Sequence, residues 1–202
     1  MTTRSTLLAA LGLAPVVSRT ALASALKKTV SASEGPYYPT SSMRPADINN
    51  DLVKIDQNVT EAGGEVLLLN GQVTDTSGTP LDSVRVEIWQ CDVNGRYLHT
   101  ADSNPAAEDP DFQGFGHTFT DESGLYEFRT IKPVSYPGRT PHIHVKVISR
   151  KTELTTQFYL KGHPQNARDG LFNRMTPAEQ ASVEMDVVSA DNRLTATVNI
   201  VC

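Results

Sequence analysis

From Glu65 onward, apolar and polar positions alternate in short runs broken by turn residues. Residues 66–73 are largely apolar and end at Asp75-Thr-Ser-Gly-Thr-Pro80, a cluster of turn formers. The pattern resumes in Val84-Arg-Val-Glu-Ile-Trp-Gln90, where Val84, Val86 and Ile88 alternate with Arg85 and Glu87. Strand-like runs follow at 117–120, 125–131, 142–148, 154–160 and 194–201, the first two separated by Asp121-Glu-Ser-Gly124. Short strands at this spacing predict an all-β chain folded as an antiparallel sandwich or barrel. Helical candidates are residues 168–175 and 177–183, the second with Thr176 as N-cap, Pro177 at the first helical position and Glu179 at N3. No internal repeat is visible.

One strand carries more than packing. In Tyr136-Pro-Gly-Arg-Thr-Pro-His-Ile-His-Val-Lys-Val147, side chains alternate between faces, so His142 and His144 share one face while Ile143, Val145 and Val147 share the other. Pro141 opens the strand, where its missing N–H does least harm. Two imidazoles on an apolar-backed strand suggest a metal site, but such a pair is as readily exposed or structural. Arg139 and Tyr136 lie just upstream.

Before Glu65 the pattern fails. Residues 27–50 are rich in Ser, Pro and polar side chains, and Glu34-Gly-Pro-Tyr-Tyr-Pro39 excludes regular structure, so an extended arm is expected to lay its two tyrosines on the main domain. Residues 46–60 show no clear period. Residues 92–110 are a polar stretch too long to be an idle connection. Residues 1–25 carry Arg4, an apolar run from Leu7 to Val17 and Ala21-Leu-Ala-Ser-Ala25, the ingredients of a secretory signal, although Arg19 interrupts it. The run is shorter than the about 20 apolar residues that span a bilayer. The expected organisation is an export signal over 1–25, an arm over 26–60 and a β-sandwich domain over 61–202, the part that carries the candidate site. That predicts a periplasmic or secreted protein, with a disordered or helical extension of a cytoplasmic one as the alternative.

Composition adds exclusions. Of 202 residues, 39% are hydrophobic and 20% charged, which fits a globular chain. A net charge of −5 without a basic run gives nucleic acid nothing to bind. Cys91 and Cys202 are no disulfide framework; they could pair after export or be buried as small hydrophobes. Asn58-Val-Thr60 fits a glycosylation sequon, a pattern common by chance.

Two tyrosines change the metal argument. Tyr97 lies just past the strand ending at Trp89, and Tyr136 just before the histidines. Each alone is an ordinary amphipathic packing residue. As phenolates, with a free pKa of about 10, they would need a strongly Lewis-acidic cation, and Fe(III) suits two phenolates and two imidazoles better than Zn(II). No Cys-x-x-Cys spacing supports a structural zinc site.

Several ordered motifs then resemble one family. They are Gly35-Pro-Tyr-Tyr38, Glu87-Ile-Trp-Gln-Cys-Asp-x-x-Gly-Arg-Tyr97, Asp121-x-x-Gly-x-Tyr-x-Phe-Arg-Thr-Ile-Lys-Pro133, Tyr136-Pro137, Arg139-x-x-His-Ile-His144 and Thr156-Gln-Phe-Tyr159. Together, over roughly residues 30–165, they resemble the intradiol ring-cleavage dioxygenases, nearest to the protocatechuate 3,4-dioxygenase type. The resemblance implies a transthyretin-like antiparallel β-sandwich with long active-site loops and one or two short helices. It implies one non-haem Fe(III) per chain on Tyr97, Tyr136, His142 and His144, with Arg139 and Gln157 beside the substrate. The implied substrates are a catechol-type aromatic diol and O2, the product is a cis,cis-muconate-type diacid, and Tyr136 is the ligand whose freed phenolate takes a catechol proton. This chain departs from the family pattern in a shorter segment between Tyr136 and His142 and in lacking the helical dimerisation region of catechol-type members. Oligomeric state stays open, a homo-oligomer included.

Two other readings compete. Gly71-Gln-Val-Thr-Asp-Thr-Ser-Gly-Thr-Pro80 followed by Val84-x-Val-x-Ile88 resembles extracellular transthyretin-like sandwiches that only bind or space, which would be colourless and iron-free. A copper or copper–zinc protein could use His142 and His144, but it would want further imidazoles. His99, His117 and His163 read as polar surface or supporting residues, and Trp89 as a packing anchor.

Overall fold

The computed structural model describes residues 25–202 except Ala46 and Gln57. The predicted export segment therefore lies outside the described residues, apart from Ala25. In chain order the strands are β1 (Val66–Thr74), β2 (Arg85–Trp89), β3 (Phe115–Phe119), β4 (Leu125–Ile131), β5 (His142–Ile148), β6 (Glu153–Leu160), β7 (Glu184–Met185), β8 (Val188–Ala190), β9 (Arg193–Thr197) and β10 (Ile200–Val201). A single α-helix, α1 (Pro177–Val183), is assigned among the described residues. None of their helices is long and apolar enough to cross a membrane.

The strands form a sandwich of two sheets. In one, β1 is central, antiparallel to β4 and parallel to β9 and β10, with β8 antiparallel to β9. The other runs β3-β2-β5-β6-β7, antiparallel except for β6 and β7. The sheets are thus mixed where the sequence predicts antiparallel pairing. A parallel neighbour needs a long crossover, and residues 161–183, with α1, supply it between β6 and β7. Leu67, Leu69 and Val73 of β1 and Phe128 of β4 meet Val86 and Ile88 of β2 and Ile143, Val145 and Val147 of β5 in one core. Each such side chain contributes about 1.5–3 kcal/mol by leaving water.

The helix predicted over 168–175 is two 3-10 turns, Pro164–Arg168 and Phe172–Arg174. The break lies at Asp169, whose Oδ1 takes the N–H groups of Leu171 and Phe172 and so offers the backbone a local alternative to the helix. At α1 the expected capping box is present: the Thr176 hydroxyl accepts from Glu179 N, and the Glu179 carboxylate accepts from Thr176 N at 2.9 Å.

The arm is fastened across the sandwich. Thr29 N donates to Val201 O and Ala32 N to Thr155 O. Farther along, Tyr38 Oη donates to Glu87 Oε2 at 2.6 Å and Lys146 Nζ meets Glu34 at 2.8 Å. Leu52 and Val53, in the segment without a period, are fully buried. The sequon side chains both bind Asp111, Asn58 through Nδ2 and Thr60 through Oγ1. Cys91 and Cys202 are free and buried, and they belong to separate apolar clusters.

The run predicted over 194–201 is interrupted at Val198 and Asn199. Opposite that break, a Cβ on Gly71 would lie 1.9 Å from Val198 O and 2.9 Å from Tyr126 Cε1. The Tyr126 hydroxyl donates to the same carbonyl at 2.6 Å. Gly71 lets the tyrosine ring and the returning strand touch the β1 backbone. Gly71→Ala is therefore expected to destabilise the fold by about 3 kcal/mol or more, as overpacking against fixed backbone does. Denaturant unfolding checks this; a midpoint within error of the parent would refute the close approach.

Candidate metal centre

His144 and Trp89 are cross-strand partners, as are His144 and Gln157. This register sets His142 and His144 on the face of the second sheet opposite the core, beside the end of β2. The indole of Trp89 stacks on the His144 ring, with centroids 4.7 Å apart and planes at 12°. Trp89 is fully buried, the packing role expected for it. The chain then enters the polar excursion after β2, which its own acidic side chains hold in shape. Asp92 accepts from the N–H groups of Asn94, Arg96 and Asp109, and Asp102 Oδ2 accepts from Tyr97 N at 2.7 Å. Tyr97 is fixed there at 3% exposure.

Tyr97, Tyr136, His142 and His144 converge. The ring centroids are 5.4 Å apart for Tyr97 and Tyr136, 6.0 Å for Tyr97 and His144, and 5.5 Å for Tyr136 and His142. His142 Nε2 and His144 Nε2 face each other at 3.2 Å. His142 Nδ1 lies 2.7 Å from Thr140 O, which requires the proton on Nδ1 and turns the lone pair of Nε2 into the cluster. The Tyr97 hydroxyl is buried without a hydrogen-bond partner.

Arg139 and Gln157 adjoin this set. Arg139 Nη2 donates to Gln157 Oε1 at 2.6 Å, and Nη1 points at Tyr136 Oη from 3.4 Å. Gln157 is buried, accepts from Tyr159 Oη at 2.8 Å and donates to Ser33 O of the arm at 3.2 Å. It is not the solvent-facing strand residue that its sequence position alone allows. The remaining histidines are not among the converging donors: His99 Nδ1 accepts from Ala101 N and its ring lies 5.9 Å from that of Tyr37, His163 caps a 3-10 turn with Nδ1 3.4 Å from Thr140 Oγ1, and His117 lies on β3 opposite Glu87. Among the described residues, no group of three or more His, Cys, Asp or Glu side chains could hold a metal.

Sequence reasoning missed three contributors. Tyr37 stacks on Tyr97 at 4.8 Å, the backbone of Gly35 (φ +75°) passes over the edge of the His144 ring, and Asp169 binds Arg139 Nε at 2.8 Å. The first two lie in a motif visible in the sequence; Asp169 has no local signal. A cavity of ≈ 440 Å³ opens beside Tyr136, Arg139 and Arg168. A larger one of ≈ 730 Å³, between residues 47–56 and β3, contains none of the four donors.

Burial dominates the electrostatics. It pushes the His142 imidazole down to about 4, helped by the Arg139 charge, and holds His144 well below its ordinary value, helped by His142. Burial, then the neighbouring Tyr136 oxygen, keeps the Tyr97 phenol well above its ordinary value. Tyr136 is raised by burial too, although the Arg139 guanidinium opposes that shift. Burial opposes the charge on Arg139, but its bond to Asp169 and the nearby oxygens of Tyr136, Asp169 and Tyr159 together outweigh this and raise its pKa. Two neutral imidazoles and a partnerless phenol therefore share a dry pocket. Two imidazole nitrogens 3.2 Å apart can be bridged by one cation at a metal–nitrogen bond length of about 2.0–2.1 Å. The donor set fits a hard, strongly Lewis-acidic ion.

The sandwich and this mixed imidazole and phenol cluster define a candidate metalloenzyme. A protein-family model described as "Dioxygenase" matches residues 33–200. The chain is 36% identical over 156 residues to the protocatechuate 3,4-dioxygenase beta chain of Burkholderia cepacia, covering 73% of this chain and 66% of that one. It is 33% identical over 150 residues to catechol 1,2-dioxygenase 1 of Acinetobacter lwoffii, covering 65% and 46%. The match thus spans less than two thirds of the length of either curated relative. Among solved structures, the dioxygenase domain of a dioxygenase–carbohydrate-binding fusion from Streptomyces sp. SirexAA-E superposes with a TM-score of 0.66 at 32% identity, over 87% of this chain and 98% of that one. The chain belongs to the intradiol ring-cleavage dioxygenase family.

The depressed imidazoles predict how the metal-free protein responds to acid. Their folded pKa values lie below the unfolded value of about 6.5, so below that pH the unfolded chain binds more protons. Their contribution to stability is fully present above about pH 6.5. It is lost as pH falls toward about 4, the value for His142. Thermal midpoints of metal-free protein should fall across that window, and the slope should flatten in a His142→Asn/His144→Asn double variant. An identical slope in that variant would contradict the burial of neutral imidazoles.

Proposed function

We propose that this protein is a non-haem Fe(III) intradiol dioxygenase that cleaves a catechol-like diol between its two hydroxyl-bearing carbons, giving a cis,cis-muconate-type diacid. The family typically uses non-haem Fe(III). The observation that carries the reading is the convergence of Tyr97, Tyr136, His142 and His144 in a pocket holding the two imidazoles neutral. These four would hold one iron per chain. When bound, Fe(III) supplies the Lewis acidity that keeps the phenols and a bound catechol ionised and draws charge from the ring, opening a ring carbon to O2.

The residues of the chain divide the remaining work. Tyr97, enclosed and pinned through its N–H by Asp102, stays in place. Tyr136 is half-buried with Arg139 Nη1 at 3.4 Å from its oxygen, so its phenolate oxygen is the one free to leave and take a catechol proton. Arg139 offers a fixed positive charge to the anionic diol and to charge developing on it. Gln157 holds the far edge of that guanidinium. Gly35 and Tyr37 bring the arm to the pocket, Gly35 beside the His144 ring and Tyr37 stacked on Tyr97. The export signal over 1–25, the arm over 26–60 and the sandwich over 61–202 belong to the same proposal, as do a periplasmic or secreted location and a small aromatic diol and O2 as partners.

Turnover of catechol under 18O2, followed by mass spectrometry, tests the reading. Both labelled atoms should appear in one ring-opened diacid; an aldehyde-bearing product, or no product from iron-loaded protein across simple catechols, would contradict it. Tyr136→Phe should keep iron and lose about 100-fold or more in kcat, the usual size of a lost proton acceptor. Unchanged turnover in that variant would remove Tyr136 as the base.

A further inference from the structure

Asp169 is fully enclosed, with its side chain at 0% exposure, and its carboxylate takes four donors. Oδ2 accepts from Arg139 Nε at 2.8 Å and from Thr140 N at 3.1 Å. Oδ1 accepts from the N–H groups of Leu171 at 2.9 Å and Phe172 at 3.0 Å. The carboxylate thus joins the 3-10 segment to Arg139 and Thr140, which precede Pro141 and β5.

Both of those residues reach the metal centre. A guanidinium is planar, so two hydrogen-bonded edges fix its orientation. Asp169 takes Nε, Gln157 takes Nη2, and Nη1 is left facing Tyr136 Oη. Thr140 is gripped as tightly: its N–H by Asp169, its hydroxyl by Asn166 Oδ1 at 2.7 Å, and its carbonyl by His142 Nδ1. That carbonyl selects the His142 tautomer with Nε2 unprotonated. Partners one bond removed from a metal ligand typically affect affinity or activity by about 10–100-fold.

We propose that Asp169 is a positioning residue for ring cleavage: it orients the Arg139 guanidinium against Tyr136 and steadies the Thr140 peptide that sets the His142 tautomer. The proposal rests on the dioxygenase reading for its kinetic consequences. Its geometric content does not depend on that reading. Replacement by Asn keeps the volume but sets an amide N–H₂ against either the Arg139 and Thr140 donors or the Leu171 and Phe172 donors.

Asp169→Asn should retain one iron per chain and lose about 10–100-fold in kcat per iron, with KM little changed. In an Arg139→Ala background the same substitution should cost clearly less than in the parent, because only the part of its effect that runs through the Thr140 peptide remains. Losses that multiply in the double variant, or loss of iron with undiminished rate per bound iron, would overturn the proposal. A second readout needs neither iron nor turnover. In the metal-free protein, Arg139 Nε–H should give a slowly exchanging NMR resonance, assigned by its absence in Arg139→Lys. It should shift and exchange faster in Asp169→Asn, whose oxygen is neutral where the carboxylate is charged; an unchanged shift and unchanged protection would overturn the proposal even if the parent protein cleaved no diol. If Asp169→Asn does not fold, Asp169→Glu serves the same measurements. It keeps the charge but displaces it by one methylene, so a smaller kcat loss and a shifted Nε–H resonance are expected. Parent values for both would overturn the assignment.

Discussion

In β5, the alternation that sends Ile143, Val145 and Val147 into the core aims His142 and His144 at the opposite face, and that face is not solvent. The rest of the site follows from this arrangement. A one-residue slip would put Ile143 and Val145 where the imidazoles stand, so the register with β2 and β6 fixes the chemistry as firmly as the core. The same register brings Trp89 under His144 and Gln157 alongside it.

Covering that face requires chain from elsewhere. The arm contributes Tyr37 and Tyr38, the excursion after β2 contributes Tyr97, and the loop before β5 contributes Tyr136; with Trp89, Cys91 and Phe115 they make a second, smaller apolar cluster. Such a cover leaves polar atoms without partners, among them Tyr97 Oη, His144 Nδ1 and Trp89 Nε1. Buried unsatisfied groups each cost about 1–3 kcal/mol, so a protein that keeps several at one point gives up stability there. The acidic side chains that tie down the excursion, and the ion pairs that hold the arm, are what keep the cluster assembled in spite of it.

Local pattern made much of this legible. β4 and β5 coincide with their predicted runs, the capping box of α1 is present as expected, and the two histidines are legible on one face of β5, whereas the full set of four donors came from the family resemblance. The parallel pairings were not legible, since β7 is only Glu184–Met185 and its partner is chosen by a crossover, not by its own residues. Leu52 and Val53 show no period because the segment docks as irregular chain. Asp169 was invisible for a different reason: its neighbours in sequence read as a helix over 168–175, which says nothing of its side chain's partner. Its meaning lies in Arg139, which reaches it through space although β5, β6 and a 3-10 turn separate them in the chain.

The central claim, that two tyrosines and two histidines hold Fe(III) where a catechol can join it, is tested most directly by visible absorption. The spectrum of the iron-loaded protein should be taken alone and then with catechol under anaerobic conditions. Phenolate-to-iron charge transfer should colour the protein red-brown, and catechol should broaden the band and move it to longer wavelength. A protein that binds stoichiometric iron without colour, or whose spectrum ignores catechol, would contradict the account.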